Sequence, residues 1–271
     1  MTAIPMPAAF SMGTVISRLF AVLGRNLTTL LLLSVLLVGA PTAVVSFAQL
    51  GVFSANALNF FAPVRLGLGA LGFLISIVCN AVLQAAVIHA TVGDLAGRKV
   101  SFGESLGVGF RFFLPLIGIS IIAWVGCTLG FILFIVPGVL LALAWCVAAP
   151  AAVMEGVGVF GALGRSLDLT RNHRGAIFGL MLAYIVVTWI VQMVLGSIAA
   201  VSVASSAGAM RAAPGQLPQG FQTLMWVQTG FALVINTLLA SVSSVGIASI
   251  YFELRQSKEG IGVEQLASVF D

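Results

Sequence analysis

Six ionisable side chains crowd into one short stretch: Glu155, Arg165, Asp168, Arg171, His173 and Arg174. Two carboxylates, an imidazole and three guanidinium groups could build a site acting on phospholipid headgroups. Glu155, Asp168 and His173 would divide the acid and base work, and the arginines would hold phosphate oxygens. That chemistry needs further parts. A P-loop, an H-E-x-x-H pair or a G-x-S-x-G elbow would supply a cradle, a metal or a nucleophile, and none accompanies the cluster. The plainer reading makes Glu155 and Asp168 ion-pair partners on the cytoplasmic side. Arg165, Arg171, His173 and Arg174 then become contacts for lipid headgroups.

A second set of polar groups lies inside apolar runs: Asn80, Gln84, His89, Gln192 and Asn236. Asn80 and Gln84 are four residues apart and share a helix face. Together the five could line a path for a proton or a small solute. None is acidic, whereas intramembrane proton relays rely on carboxylates. The alternative is hydrogen bonding between helices, at about 0.6 kcal/mol per contact. Gly67-Leu68-Gly69-Ala70-Leu71-Gly72 matches the dinucleotide fingerprint letter for letter. It opens an apolar run instead of following a strand, so it reads as close helix packing through small residues. Gly126 and Gly130 form a G-x-x-x-G step suited to helix contact. Asn26-Leu27-Thr28 is a glycosylation sequon at the cytoplasmic border of an apolar run, where it carries no weight. Cys79, Cys127 and Cys146 all sit in apolar surroundings and read as packing residues, not as a disulfide framework. No metal site, cofactor or nucleic-acid partner is expected.

The elements that carry these residues follow from composition. Charged residues make up 7% of the 271, apolar residues 60%, and the mean hydropathy is +1.16. Soluble domains carry about 25% charge. A chain this poor in charge cannot cover a water-facing surface and must face lipid. A crossing takes about 20 apolar residues. Uncharged stretches run from Arg25 to Arg65, Arg65 to Asp94, Arg111 to Glu155, Arg174 to Arg211 and Arg211 to Glu253. The third, 43 residues long, fits two crossings with a tight turn just before Pro137, a residue tolerated in a helix's first turn. The last begins with the loop-like run from Ala212 to Gly220 and holds one crossing. The fold class is therefore all-α: one polytopic membrane domain with spans near 27–50, 66–92, 113–131, 137–153, 176–201 and 221–252, and a tail over 253–271. The run after Arg25 is too long for a signal-peptide core and reads as the first span.

Six crossings put both termini on one side. Ten of the 12 basic residues then fall on that side, leaving Arg65 and Arg211 opposite; all 8 acidic residues join the ten. The positive-inside rule makes that side cytoplasmic, in a bacterial inner membrane. Three short amphipathic segments precede spans there: 10–25, 101–111 and 159–174. Their apolar stripes read as Met12, Ile16, Leu19 and Leu23; Phe102, Leu106 and Phe110; and Phe160, Leu163 and Leu167. Ser101 with Glu104 is a capping box. Each segment has the character of an interfacial helix, which suggests three units of surface helix plus helical hairpin.

Ile135-Val136-Pro137-Gly138, Ala149-Pro150, Glu155-Gly156 and the run Ala162-Leu163-Gly164-Arg165-Ser166-Leu167-Asp168-Leu169-Thr170-Arg171 resemble a family of poorly characterised bacterial six-span proteins. These are similar to the membrane domain fused to some glycerophosphodiester phosphodiesterases. The ending Tyr251-Phe252-Glu253-Leu254-Arg255 with Glu259-Gly260 fits the same pattern. The resemblance covers 135–175 and 250–261; the first half matches in layout. The fused proteins' phosphodiesterase activity belongs to a separate soluble barrel for which this chain has no length, so no catalytic residue carries over. The sequence thus points to a non-enzymatic protein that binds or organises lipid, with a protein partner or a second copy left open. A small-solute transporter or channel is the first alternative, and an enzyme on phospholipid headgroups the second.

Overall fold

The computed structural model describes residues 10–55, 63–212 and 220–260, and every regular element among them is helical. The elements are α1 (Met12–Ser34), a π-helical turn (Val35–Gly39), α2 (Ala40–Ala55), α3 (Pro63–Leu95), α4 (Phe102–Leu133), α5 (Ile135–Trp145), α6 (Ala148–Glu155), α7 (Gly158–Thr170), α8 (Arg174–Ala212) and α9 (Phe221–Glu259). Six stretches are long and apolar enough to cross a membrane: Met12–Gln49, Leu66–Leu95, Phe102–Leu133, Ile135–Glu155, Arg174–Val201 and Thr223–Glu259. The turn expected before Pro137 falls at Phe134, whose extended backbone separates α4 from α5. Pro137 is the third residue of α5, where a missing N–H costs nothing.

The three amphipathic segments join their spans in three ways. Asn26, with non-helical φ −115° and ψ 19°, kinks α1 just after Arg25. In the second, α4 runs unbroken through Pro115, which removes one intrahelical bond at the junction. The third is a separate helix, α7, parted from α8 by a turn in which Asn172 has φ +73°. Ser101 caps α4, accepting from the Glu104 N–H at 3.2 Å, while the Glu104 carboxylate turns to Arg98.

The buried faces coincide only in part with the stripes read in the sequence: Leu163 is buried and Leu19, Leu23, Phe102 and Leu106 pack on the core, while the rest are exposed. Over 12–25 of α1 the fully covered side chains are Val15 and Val22; Leu19 and Leu23 of the stripe are half-buried against the core around Leu30 and Leu33, and Met12 and Ile16 are exposed. On α7 the covered side chains are Ala162, Leu163, Ser166, Leu169 and Thr170, while Phe160 and Leu167 are exposed. Burial concentrates where the charges are. Ala148–Met154 of α6 and Ala248–Leu254 of α9 are wholly buried, and the 81–93 stretch of α3 is buried except Gln84. The opposite end is open: Phe131 through Val136 are all exposed.

Glycines set several close approaches. Gly126 packs on the Trp145 ring and Gly130 on the Gly138 backbone, so the G-x-x-x-G step serves the α4–α5 hairpin. In the fingerprint match, Gly72 alone is tightly packed, against Val45; Gly67 and Gly69 are open. Gly109 is the less forgiving position, since its nearest neighbour is backbone: a Cβ there would lie 2.8 Å from the Val82 carbonyl oxygen of α3. Helix propensity favours Gly→Ala by about 1 kcal/mol. At Gly109 the sign should reverse, with Gly109→Ala costing about 1–3 kcal/mol by overpacking. Gly107→Ala, in open space on the same helix, should be neutral or stabilising. Thermal unfolding of both variants in detergent checks this; equal shifts would refute the α3–α4 contact.

Candidate functional site: the charged rim

The site begins with the last two turns of α9, which gather three other helices. Tyr251 donates its hydroxyl to Glu155 Oε1 at 2.8 Å, at the end of α6. Arg165 of α7 donates Nε to both Glu155 oxygens, at 3.0 and 2.8 Å, and its Nη2 pairs with Glu259 of α9. Arg255 donates Nε to Glu259 at 2.9 Å, lies 4.0 Å from Glu155 and donates Nη1 to the Tyr251 oxygen at 3.3 Å. Two carboxylates and two guanidinium groups thus alternate with Tyr251 beside them. Burial alone would lower the Arg165 pKa, but the hydrogen bonds with Glu259 and Glu155 outweigh it and hold the group above the ordinary arginine value. Arg165 is permanently charged here, and its donors are committed to protein carboxylates.

Three of the four remaining described acids are also engaged by arginine through their carboxylates. Arg18 of α1 pairs with the buried Glu253, donates to Gln256 Oε1 at 2.7 Å and lies over the Phe252 ring at 5.0 Å. Arg25 donates Nε and Nη2 to Asp94 Oδ2 at 3.2 and 2.6 Å. Arg98 and the buried His89 both approach Glu104 Oε1, at 3.2 and 3.9 Å. Asp168 receives Lys258 Nζ on its main-chain carbonyl and closes no carboxylate ion pair among the described residues. These bonds draw the ends of α1, α3, α4, α6, α7 and α9 into one charged rim, the grouping that the charge count anticipates.

Five cations at the rim have no such partner, one of them Lys258, which among the described residues meets only the Asp168 main-chain carbonyl. Lys99, Arg111, Arg171 and Arg174 close no ion pair with a carboxylate among the described residues. Arg171 is exposed where α7 ends, and Arg174 opens α8. His173 lies between them, its ring 5.4 Å from that of Phe10. Of the residues read as headgroup contacts, Arg171, His173 and Arg174 therefore stay together in one turn, while Arg165 is locked into the α9 network. An exposed phenylalanine stands on each amphipathic segment: Phe20, Phe110 and Phe160, at 68%, 57% and 79% exposure.

This geometry suits anchoring better than proton transfer. Both Glu155 oxygens already accept from cations or a hydroxyl, which fixes the carboxylate in place and occupies the lone pairs that a general base would use. The intramembrane polar residues do not form one group. Gln192 Nε2 donates to Asn236 Oδ1 at 2.7 Å, Asn80 bonds the Ser76 carbonyl of its own helix at 2.7 Å, Gln84 is half-buried, and His89 belongs to the rim. No group of three or more His, Cys, Asp or Glu arranged for a metal ion occurs among the described residues.

A polar contact that the sequence does not signal underlies the rim. The fourth span breaks at Cys146–Val147, between α5 and α6. Ser166 of α7 bridges the break: its hydroxyl donates to the Ala144 carbonyl at 2.7 Å and accepts from the Val147 N–H at 3.3 Å. Thr170 adds a contact to the same carbonyl at 3.4 Å. Both hydroxyl side chains are fully buried. The bonds satisfy backbone groups that a broken helix exposes, as membrane burial demands.

Comparison with known proteins finds no matching family model, no similar curated protein and no similar solved structure.

Proposed function

We propose that the chain is a non-enzymatic protein of a bacterial inner membrane, its termini and charged rim cytoplasmic, that binds anionic phospholipid through that rim and organises the lipid around it. The reading is carried by one observation: five of the six described acidic residues engage arginine through their carboxylates, yet Lys99, Arg111, Arg171 and Arg174 are left without one. A cation beside an anionic membrane surface is attracted to it by about 1 kcal/mol, and one without a carboxylate partner is free to answer that pull. The exposed Phe20, Phe110 and Phe160 support it, since apolar side chains next to cations set the depth of interfacial helices. The resemblance to the six-span family with lipid-linked fusions points the same way, by association.

Native mass spectrometry of the detergent-solubilised protein with phosphatidylglycerol and phosphatidylcholine tests this. Selective retention of the anionic lipid is expected, reduced about tenfold or more by Arg171→Ala together with Arg174→Ala, at about 1 kcal/mol each. Equal retention of both lipids, or an undiminished preference in the double variant, would end the proposal.

A further inference from the structure

The α8 span is the least covered of the six: 6% of its most apolar stretch is buried, against 50% for Ile135–Glu155. Ile185, Trp189, Gln192, Gly196 and Ala200 follow one another along α8 at helical steps, and all five are exposed. Trp189 and Ile185 are 64% and 55% exposed, and a Cβ on Gly196 would meet nothing within 4 Å. Apolar side chains facing lipid need no account; Gln192 does. Its Nε2 donates to Asn236 Oδ1 on α9, and Asn236 Nδ2 returns to the Ala232 carbonyl at 2.8 Å. Both residues are exposed, and Gln192 Oε1 has no partner among the described residues. A carboxamide left in hydrocarbon costs free energy until another polar group meets it.

We propose that this face of α8 is a homodimer interface. Two copies pack α8 on α8 about a two-fold axis, the Gln192–Asn236 pair of each closing hydrogen bonds with its counterpart. The occupant follows from the chemistry. A carboxamide carries both donors and an acceptor, so the group that complements it across a two-fold axis is the same group. The face has no charge to direct an ion or a charged peptide. Gly196 and Ala200 let the backbones approach beside Trp189, the close contact that holds membrane helices together where no hydrophobic driving force exists. The inference does not depend on the lipid reading, because none of the rim residues takes part.

The test is oxidative cross-linking in membranes, in a chain whose three cysteines are changed to serine. Gly196→Cys should give a disulfide-linked dimer, and Val187→Cys, exposed on the opposite face of α8, should give at least tenfold less. Adding Gln192→Leu should reduce the Gly196→Cys product several-fold, and Gln192→Asn should retain it. In lipid nanodiscs the unmodified chain should have the mass of two copies. Equal cross-linking at both positions, a monomer mass, adducts with a different protein, or a Gln192→Leu variant that cross-links as before would overturn the proposal. Should Gln192→Leu not fold, the contrast between Gly196→Cys and Val187→Cys still decides.

Discussion

Replacing Glu155 with alanine should destabilise the protein by about 2–4 kcal/mol, more than removing any other carboxylate of the rim. Glu155 meets Arg165, Tyr251 and, at longer range, Arg255. Its side chain is 17% exposed and that of Arg165 28%. Removing one partner of a buried ion pair costs about 3–5 kcal/mol because the other charge stays buried and uncompensated; partial exposure trims that figure. The loss should spread, since α6, α7 and α9 meet through this carboxylate. Unfolding in detergent, followed by helical circular dichroism, gives the number. A double-mutant cycle with Arg165→Ala should return a coupling above about 1 kcal/mol. A Glu155→Ala variant within 0.5 kcal/mol of the parent, about the scatter of surface substitutions, would show that the network is ornamental.

The second large effect concerns Ser166. Ser166→Val removes the hydroxyl that bridges Ala144 and Val147, and forces a second methyl group into a fully buried position. An unsatisfied buried backbone group costs about 1–3 kcal/mol, and overpacking adds about as much. A total of about 3–5 kcal/mol is expected from Ser166→Val, and about 1–3 from Ser166→Ala, which isolates the hydrogen bonds. Amide hydrogen exchange should localise the damage, with protection falling at 144–148 before the rest of α5 and α6. Unchanged protection there in Ser166→Ala would mean that the break is satisfied in another way.

These two sites show what the sequence could and could not disclose. The six spans are readable because hydropathy sums over a whole helix, and an uncharged run such as the one from Arg111 to Glu155 survives any error in its ends. Helix faces are not readable in the same manner. In water, polarity marks the exposed side; in lipid, the buried and the exposed sides are both apolar. Val15 and Val22 are buried while Met12 and Ile16 are exposed, and nothing in their hydrophobicity separates them. Ion-pair candidates are visible as residue types, but their partners are set by tertiary structure: Arg18 meets Glu253, and Arg25 meets Asp94. Glu155 was legible as one member of a pair with no partner assigned to it. Ser166 was invisible, because the break it bridges carries neither proline nor glycine and its bonds reach back to Ala144. Asn26 belongs to a sequon in the sequence, whereas its structural place is the kink between an amphipathic segment and a span.

The account rests on a charged rim that lies wholly on one side of a membrane, and side-selective cysteine labelling tests it most directly. In the cysteine-free chain, Ser17→Cys, Lys99→Cys and Asn172→Cys should react with an impermeant maleimide only in inside-out vesicles. Phe134→Cys and Gly220→Cys, at the other ends of the helices, should react only in right-side-out ones. Labelling of Asn172→Cys and Lys99→Cys from opposite sides, or of Phe134→Cys from the same side as Ser17→Cys, would contradict the six-span arrangement and everything argued from it.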